Sequence, residues 1–176
     1  MRLLSGGVAH VASVIEKDLG ARETGLQKPH IKGLADLSSS ALASRSSNTA
    51  EWISILPRTN CAEKSRERYI SRIISNELIR PLSVMGGFVS ELMGMSGSHG
   101  KTIVLSLDQS KISDGFECLM ISMRVGDRAI PVSWRVIATE GNIGFDVQEG
   151  LLDAVKVMIP EGLSVLLAAD RFYGTS

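Results

Sequence analysis

The sequence predicts an α+β or α/β protein in which a helical region precedes a mixed sheet. Three observations carry that expectation. Apolar residues recur at three- and four-residue spacing through residues 32–95. A Gly/Ser-rich stretch, residues 94–100, follows, and beyond it the apolar period becomes that of strands. Two apolar runs, Ile-Val-Leu-Ser-Leu before Asp108 and Val-Leu-Leu-Ala-Ala before Asp170, flank a helical segment. That is the pattern of two parallel strands joined by a crossover helix.

Taken in order, residues 1–32 read as an irregular lead-in, because glycines dilute the pattern and Pro29 should break any helix. Leu34, Leu37, Ala41 and Leu42 then predict a helix ending near Ser44. Asn48 with Glu51 three residues on has the form of a capping box for a short helix through Trp52, Ile53 and Leu56 that Pro57 ends. Ser65 can cap the next helix, whose stripe is Tyr69, Ile70, Ile73, Ile74 and Leu78. Past the Gly/Ser stretch, residues 102–108 predict a first strand, Asp114-Gly115 a turn, residues 117–124 a second strand, and Gly126-Asp127 a hairpin into a third near residues 128–137. Pro131 requires the third strand to lie at a sheet edge or to open there, since proline donates no ladder hydrogen bond. Asp146 and Glu149 mark a helix start, with Val147, Leu151 and Val155 on one face and Pro160-Glu161-Gly162 as its stop. Residues 163–169 predict a buried-type strand ending at Asp170. The expected domains are therefore residues 1–32, 33–95 and 101–176.

At 176 residues and 44% apolar, the chain is globular in composition, enough for one ordinary domain or a helical module plus part of a second. Lys plus Arg equals Asp plus Glu at 19 each, so net charge alone does not point to nucleic acid. Its distribution is uneven: residues 1–100 carry 12 basic and 9 acidic side chains, residues 101–176 carry 7 and 10. Cys61 and Cys118 are too few for a disulfide framework or zinc cluster and read as reduced thiols. Gly6, Gly7, His10 and Ser13 interrupt any signal-peptide core, and no run approaches the roughly 20 apolar residues of a membrane span. A cytoplasmic location away from membranes is expected.

Three constellations bear on chemistry. Lys64, Arg68 and Arg72 fall at i, i+4 and i+8 on one helix face, with Arg58 and Arg66 nearby. Such a row can meet DNA phosphates or be simply a solvated face. Gly94 to Thr102 has the outline of a phosphate-binding loop, but five residues separate Gly94 from Gly100 where four are needed, and a strand follows where a helix should. It is a linker. Asp108 and Asp170 would come to one end of adjacent parallel strands, where paired carboxylates can hold magnesium. Either aspartate alone reads more readily as a turn or cap residue.

Residues 101–108, the stretch Gly126-Asp127-Arg128-Ala129-Ile130-Pro131-Val132 with Trp134, and the terminal Leu-Leu-Ala-Ala-Asp170-Arg171-Phe172-Tyr173-Gly174 resemble the catalytic core of DDE transposases of the family-four insertion-sequence group. Residues 65–76 resemble the helical DNA-binding region that precedes that core. The resemblance implies a ribonuclease-H-like core: three antiparallel strands, a crossover helix, and a fourth strand parallel to the first. It implies that Asp108 and Asp170 are catalytic and hold Mg2+ or Mn2+, that Arg58, Lys64, Arg66, Arg68 and Arg72 contact DNA, and that the partners are double-stranded transposon ends and target DNA, with a homo-oligomer as an open alternative. Phe172 stands where glycine is common in the family. The family's third carboxylate, a later glutamate, has no counterpart before Ser176, so the expectation is an N-terminal portion of a transposase, inactive on its own. The alternative is a non-catalytic DNA-binding remnant, or an inhibitor of an intact relative. A phosphotransferase using Asp108 as nucleophile is disfavoured, because the Asp-x-Asp such enzymes usually need is here Asp108-Gln109-Ser110.

Overall fold

The structure, a computed structural model, describes residues 5–22, 24–97, 100–170 and 173. Two units divide the chain, Met1–Val84 and Met85–Ser176. The first is helical: α1 (Ser5–Ala21), α2 (Lys28–Ser44), α3 (Thr49–Ile55) and α4 (Glu63–Ile74). The second contains most of α5 (Pro81–Ser96), then β1 (Ile103–Ser113), β2 (Phe116–Val125), β3 (Arg128–Ala138), α6 (Phe145–Lys156) and β4 (Val165–Ala169). Among the described residues no helix is long and apolar enough to cross a membrane.

The lead-in expected over residues 1–32 is corrected: α1 occupies Ser5–Ala21 and packs on α2. Pro29 does not break a helix but opens one, in the first turn of α2. There its missing N–H would have been unpaired anyway and its fixed φ suits the helix. The expected boundary at residues 94–100 also moves, because the units part between Val84 and Met85. The physical reason lies in α5, whose Val89 and Met93 are buried in the core of the sheet unit, so the helix running up to the glycines belongs with the strands.

In the helical unit, Leu37, Leu56, Tyr69, Ile70 and Ile73 form the core, flanked by Trp52 and Ile53. Asn48 caps α3 as expected, its side chain accepting from the Ala50 amide at 3.0 Å. Ser65 is not the cap of α4. That helix starts two residues earlier, after Ala62, whose carbonyl accepts from Ser65 N at 2.9 Å. Ile74 and Leu78, placed on the apolar stripe by spacing, are exposed. The stripe is narrower because α4 ends at Ile74 and buries only Tyr69, Ile70 and Ile73.

In the second unit the strand order is β3-β2-β1-β4. β1 pairs antiparallel with β2 and parallel with β4, and β2 pairs antiparallel with β3. The sheet is thus mixed, three strands antiparallel and one parallel, with α6 as the crossover. β3 is an edge, as Pro131 required, and the β2–β3 register shifts between Ile121 and Ser122, opposite Ser133 and Pro131. Gly115 and Gly126 turn the two hairpins at φ of 76° and 58°, which glycine adopts without strain. Ile103, Leu105, Leu107, Leu119, Ile121 and Met123 are buried in one core with Leu151 and Val155 of α6. Asp146 does not cap α6. Gly144 precedes the helix and Asp146 lies in its first turn, where a carboxylate still favours the dipole.

β4 departs from the buried strand expected over residues 163–169. It is an edge, with Leu166 56% and Leu167 40% exposed. Of its five residues only Val165 packs against the core of this unit, and Leu166 to Ala169 are exposed on both faces despite the apolar sequence.

α2 and α4 approach closely at Gly33, where an added Cβ would overlap the Ile73 side chain. Gly33→Ala should therefore destabilise the protein by about 1–3 kcal/mol through overpacking. Gly20→Ala, which meets nothing within 4 Å, should not. Urea unfolding of the two variants beside the parent checks this. Equal midpoints would contradict the packing described.

Candidate functional site

Two sites emerge, one in each unit. In the sheet unit, parallel pairing sets Leu107 beside Ala169 as its last matched residues, and the residue that follows each in the chain is aspartate. Asp108 and Asp170 accordingly line one cavity of about 200 Å³ with Gln109, Asn142, Gln148 and Tyr173. Asp108 is not at the end of β1, as its place after an apolar run suggested. β1 continues to Ser113 along β2, and only its first half has β4 alongside. The aspartate sits where that second partner stops, so its carboxylate has open space on that side.

Polar side chains fix the rest of the cavity. Gln109 Oε1 accepts from Ile143 N at 3.0 Å, and its Nε2 donates to Gly141 O at 3.1 Å, tying the loop before α6 to β1. Gln148 Nε2 donates to Ile143 O at 2.8 Å from the other side. Ser110 Oγ donates to the Asp108 carboxylate at 3.1 Å. Tyr173 N donates to Asp170 O at 3.0 Å, and burial first, then the Asp108 and Asp170 charges, pushes its phenol up. Arg171 and Phe172, part of the expected motif, lie outside the described residues.

Whether a divalent ion suits this cavity is a matter of donors. Asp108 and Asp170 offer carboxylate oxygens, Asn142 and Gln148 amide oxygens, and among the described residues no lysine or arginine lines it. Hard oxygen donors with a net negative charge fit Mg2+ or Mn2+. Among the described residues no group of three His, Cys, Asp or Glu gathers anywhere in the chain, so the pair is the whole acidic contribution there.

The helical unit holds the basic site. Arg58, Arg66, Arg68 and Arg72 line one groove of about 270 Å³ with Cys61, Ser65 and Tyr69. Four of the five expected DNA-contacting residues are thereby brought together. The fifth, Lys64, is exposed on α4 outside that groove. Among the described residues no carboxylate lines it. The Nε of Arg66 is buried without a partner among the described residues, a donor that an incoming anion would satisfy.

What holds the groove in shape is a residue that sequence spacing did not single out. Asp36, 0% exposed on α2, accepts from Tyr69 Oη at 2.9 Å, Arg58 Nε at 3.3 Å and Lys32 Nζ at 3.2 Å. Arg58 also lies over the Tyr69 ring at 3.7 Å. Burial opposes the Arg58 charge, but the Tyr69 phenol and Asp36 outweigh it and raise its pKa. Tyr69 is pushed up to about 12, by burial first and then by the Asp36 charge. The one available signal for Asp36 was an acidic residue inside an apolar helical stripe, beside Leu34, Ala35 and Leu37.

No protein-family model, no curated protein and no solved structure matches the chain.

The Tyr69 shift has a pH consequence. Its folded pKa lies above the unfolded value of roughly 10, so the unfolded chain loses its proton first as pH rises. The stability it contributes is whole below about pH 10 and is lost as pH climbs towards about 12. Tyr69→Phe should cost about 1 kcal/mol at neutral pH through the lost hydrogen bond, and should lessen the alkaline decline. Urea titrations at pH 8 and pH 11 compare the two. An equal decline in both proteins would contradict this assignment.

Proposed function

We propose that the chain acts in DNA transposition, as a member of the DDE class with a ribonuclease-H-like core, its helical unit binding duplex DNA. The observation that carries this reading is the meeting of Asp108 and Asp170 in one oxygen-lined cavity where the parallel β1–β4 pairing ends. Supporting it are the three antiparallel strands with a parallel fourth, the edge position of β3, and the arginine groove. The resemblance of residues 101–108, 126–134 and 166–174 to that family supplies the class of reaction.

On this reading Asp108 and Asp170 would hold a divalent ion, which would supply Lewis acidity toward the oxygens of a phosphodiester. Gln109 and Gln148 fix the loop that forms the cavity wall, so the carboxylates keep their separation when phosphate approaches. Tyr173 lines the same cavity and, as a phenol, can donate a hydrogen bond to a phosphate oxygen. In the helical unit, Arg66 and Arg68 meet backbone phosphates while Asp36 keeps Arg58 flat on Tyr69. A second reading, a DNA-binding protein without catalysis, is favoured by one feature: the arginine groove is complete within the first unit and draws on no residue of the carboxylate cavity.

Duplex binding by the parent should weaken steeply with salt, and Arg66→Ala/Arg68→Ala/Arg72→Ala should flatten the log–log slope by roughly 2–3, about 0.9 per phosphate contact removed. An unchanged slope would remove DNA from the account. In a parallel titration, Mn2+ should bind the parent, and Asp108→Ala or Asp170→Ala should each weaken it at least tenfold. Equal Mn2+ affinity in all three proteins would leave the non-catalytic reading in place of the nuclease.

A further inference from the structure

We propose that a second cavity of the helical unit, on the α2 side of Tyr69, binds a phosphate monoester carried on a nucleoside-sized group. The cavity has a volume of about 580 Å³, inside the roughly 300–1,000 Å³ range of small-molecule sites. Three helices and the segment after α3 build it: Glu16 from α1, Lys28, His30 and Lys32 from α2, Arg58, and Tyr69, Arg72 and Asn76 from α4 and the turn after it.

Charge identifies the ligand class. Lys28, Lys32, Arg58 and Arg72 converge on the space, against Glu16 in its lining and Asp36 buried behind it. Asp36 accounts for Arg58 and, with Glu16 at 4.0 Å, for Lys32. Among the described residues neither Lys28 nor Arg72 has a carboxylate partner. Two uncompensated cations match the charge of a monoester, about −1.5 to −2 at pH 7, better than the single charge of a phosphodiester link. The Arg72 guanidinium lies 5.7 Å from the centroid of the Tyr69 ring.

The remaining lining suits a nucleoside. Pro29, Ile73 and the edge of Tyr69 offer apolar surface for a planar base, and the Asn76 side chain is an amide able to pair with a base edge. Arg58, Tyr69 and Arg72 line both this cavity and the arginine groove. Lys28, Lys32 and Glu16 line only the cavity, Arg66 and Arg68 only the groove. The inference therefore goes beyond duplex binding and does not rest on the carboxylate pair. The monoester has two sources, a free nucleotide or the 5′ end of a DNA strand, and the same chemistry recognises both.

The test titrates the whole chain with 5′-deoxyadenylate, deoxyadenosine, and short single strands bearing a 5′-phosphate or a 5′-hydroxyl. Deoxyadenylate should bind at least tenfold more tightly than deoxyadenosine. Lys28→Gln should weaken it at least threefold and Lys28→Glu at least tenfold, while Glu16→Gln should tighten it severalfold, a gain that mere structural damage cannot mimic. Arg66→Ala/Arg68→Ala should leave it unchanged while weakening duplex binding, which separates this site from the groove. A Lys28-dependent preference for the 5′-phosphorylated strand assigns the site to DNA ends; nucleotide binding without that preference assigns it to a free nucleotide. Equal affinity for deoxyadenylate and deoxyadenosine, or folded Lys28→Gln and Lys28→Glu proteins that bind like the parent, would overturn the proposal whatever the duplex result.

Discussion

Parallel pairing of β1 with β4 is the constraint on which the second unit depends. Parallel neighbours cannot be joined by a hairpin, so the chain between β3 and β4 has to cross the sheet, and α6 makes that crossing with Leu151 and Val155 against the strands. The crossing decides register. Because Leu107 sits beside Ala169, the two aspartates that follow emerge together, and a slip of one residue would send Asp108 and Asp170 to opposite faces. The same arrangement explains why Gln109 pins the loop before α6: the amide of that side chain, next to Asp108 on β1, reaches both Gly141 and Ile143 and holds the loop at the carboxylate end of the β1–β4 pairing.

A different constraint organises the helical unit. A carboxylate that is 0% exposed costs several kcal/mol unless its charge is matched, and Asp36 is matched by Arg58, Lys32 and the Tyr69 hydroxyl. That requirement fixes Arg58 against the Tyr69 ring, and both residues line the groove and the cavity alike. Arg66, Arg68 and Arg72 add charge that no carboxylate among the described residues offsets. Charge of this kind is stable only where solvent or an anionic ligand reaches it.

Much of the architecture is legible in the residues. The helical region, the two hairpins with their glycine turns, the edge position of β3 and the parallel fourth strand all follow from period, turn chemistry and Pro131. The pair Asp108 and Asp170 is visible because each closes an apolar run. What stays hidden depends on distance in sequence. Asp36 meets Arg58 and Tyr69 only through the packing of α2 against the chain after α3 and against α4, and no local pattern marks such a contact. α1 escapes the apolar period because its glycines and serines weaken it, although Val8, Ala12 and Leu19 are buried. Pro29 misleads because the same residue that breaks a helix interior begins one at its first turn. β4 looks buried because its five residues are apolar, yet burial is decided by neighbours, and β1 is its only strand partner among the described residues.

The central claim, that register brings the two carboxylates to one point, is open to a direct chemical measurement. In a background with Cys61→Ser and Cys118→Ala, the exchanges Asp108→Cys and Asp170→Cys place two thiols on neighbouring strands. Adjacent strands lie roughly 4.8 Å apart, within the roughly 4.4–6.8 Å Cα separation that a disulfide spans. Mild oxidation should close an intramolecular bridge in the folded protein, seen as a shifted non-reducing band and loss of free thiol, whereas Asp108→Cys with Ser164→Cys, at opposite ends of the β1–β4 pairing, should stay reduced. Thiols at positions 108 and 170 that remain reduced in the folded protein, or that oxidise no faster than the control pair, would contradict the register and with it the shared site.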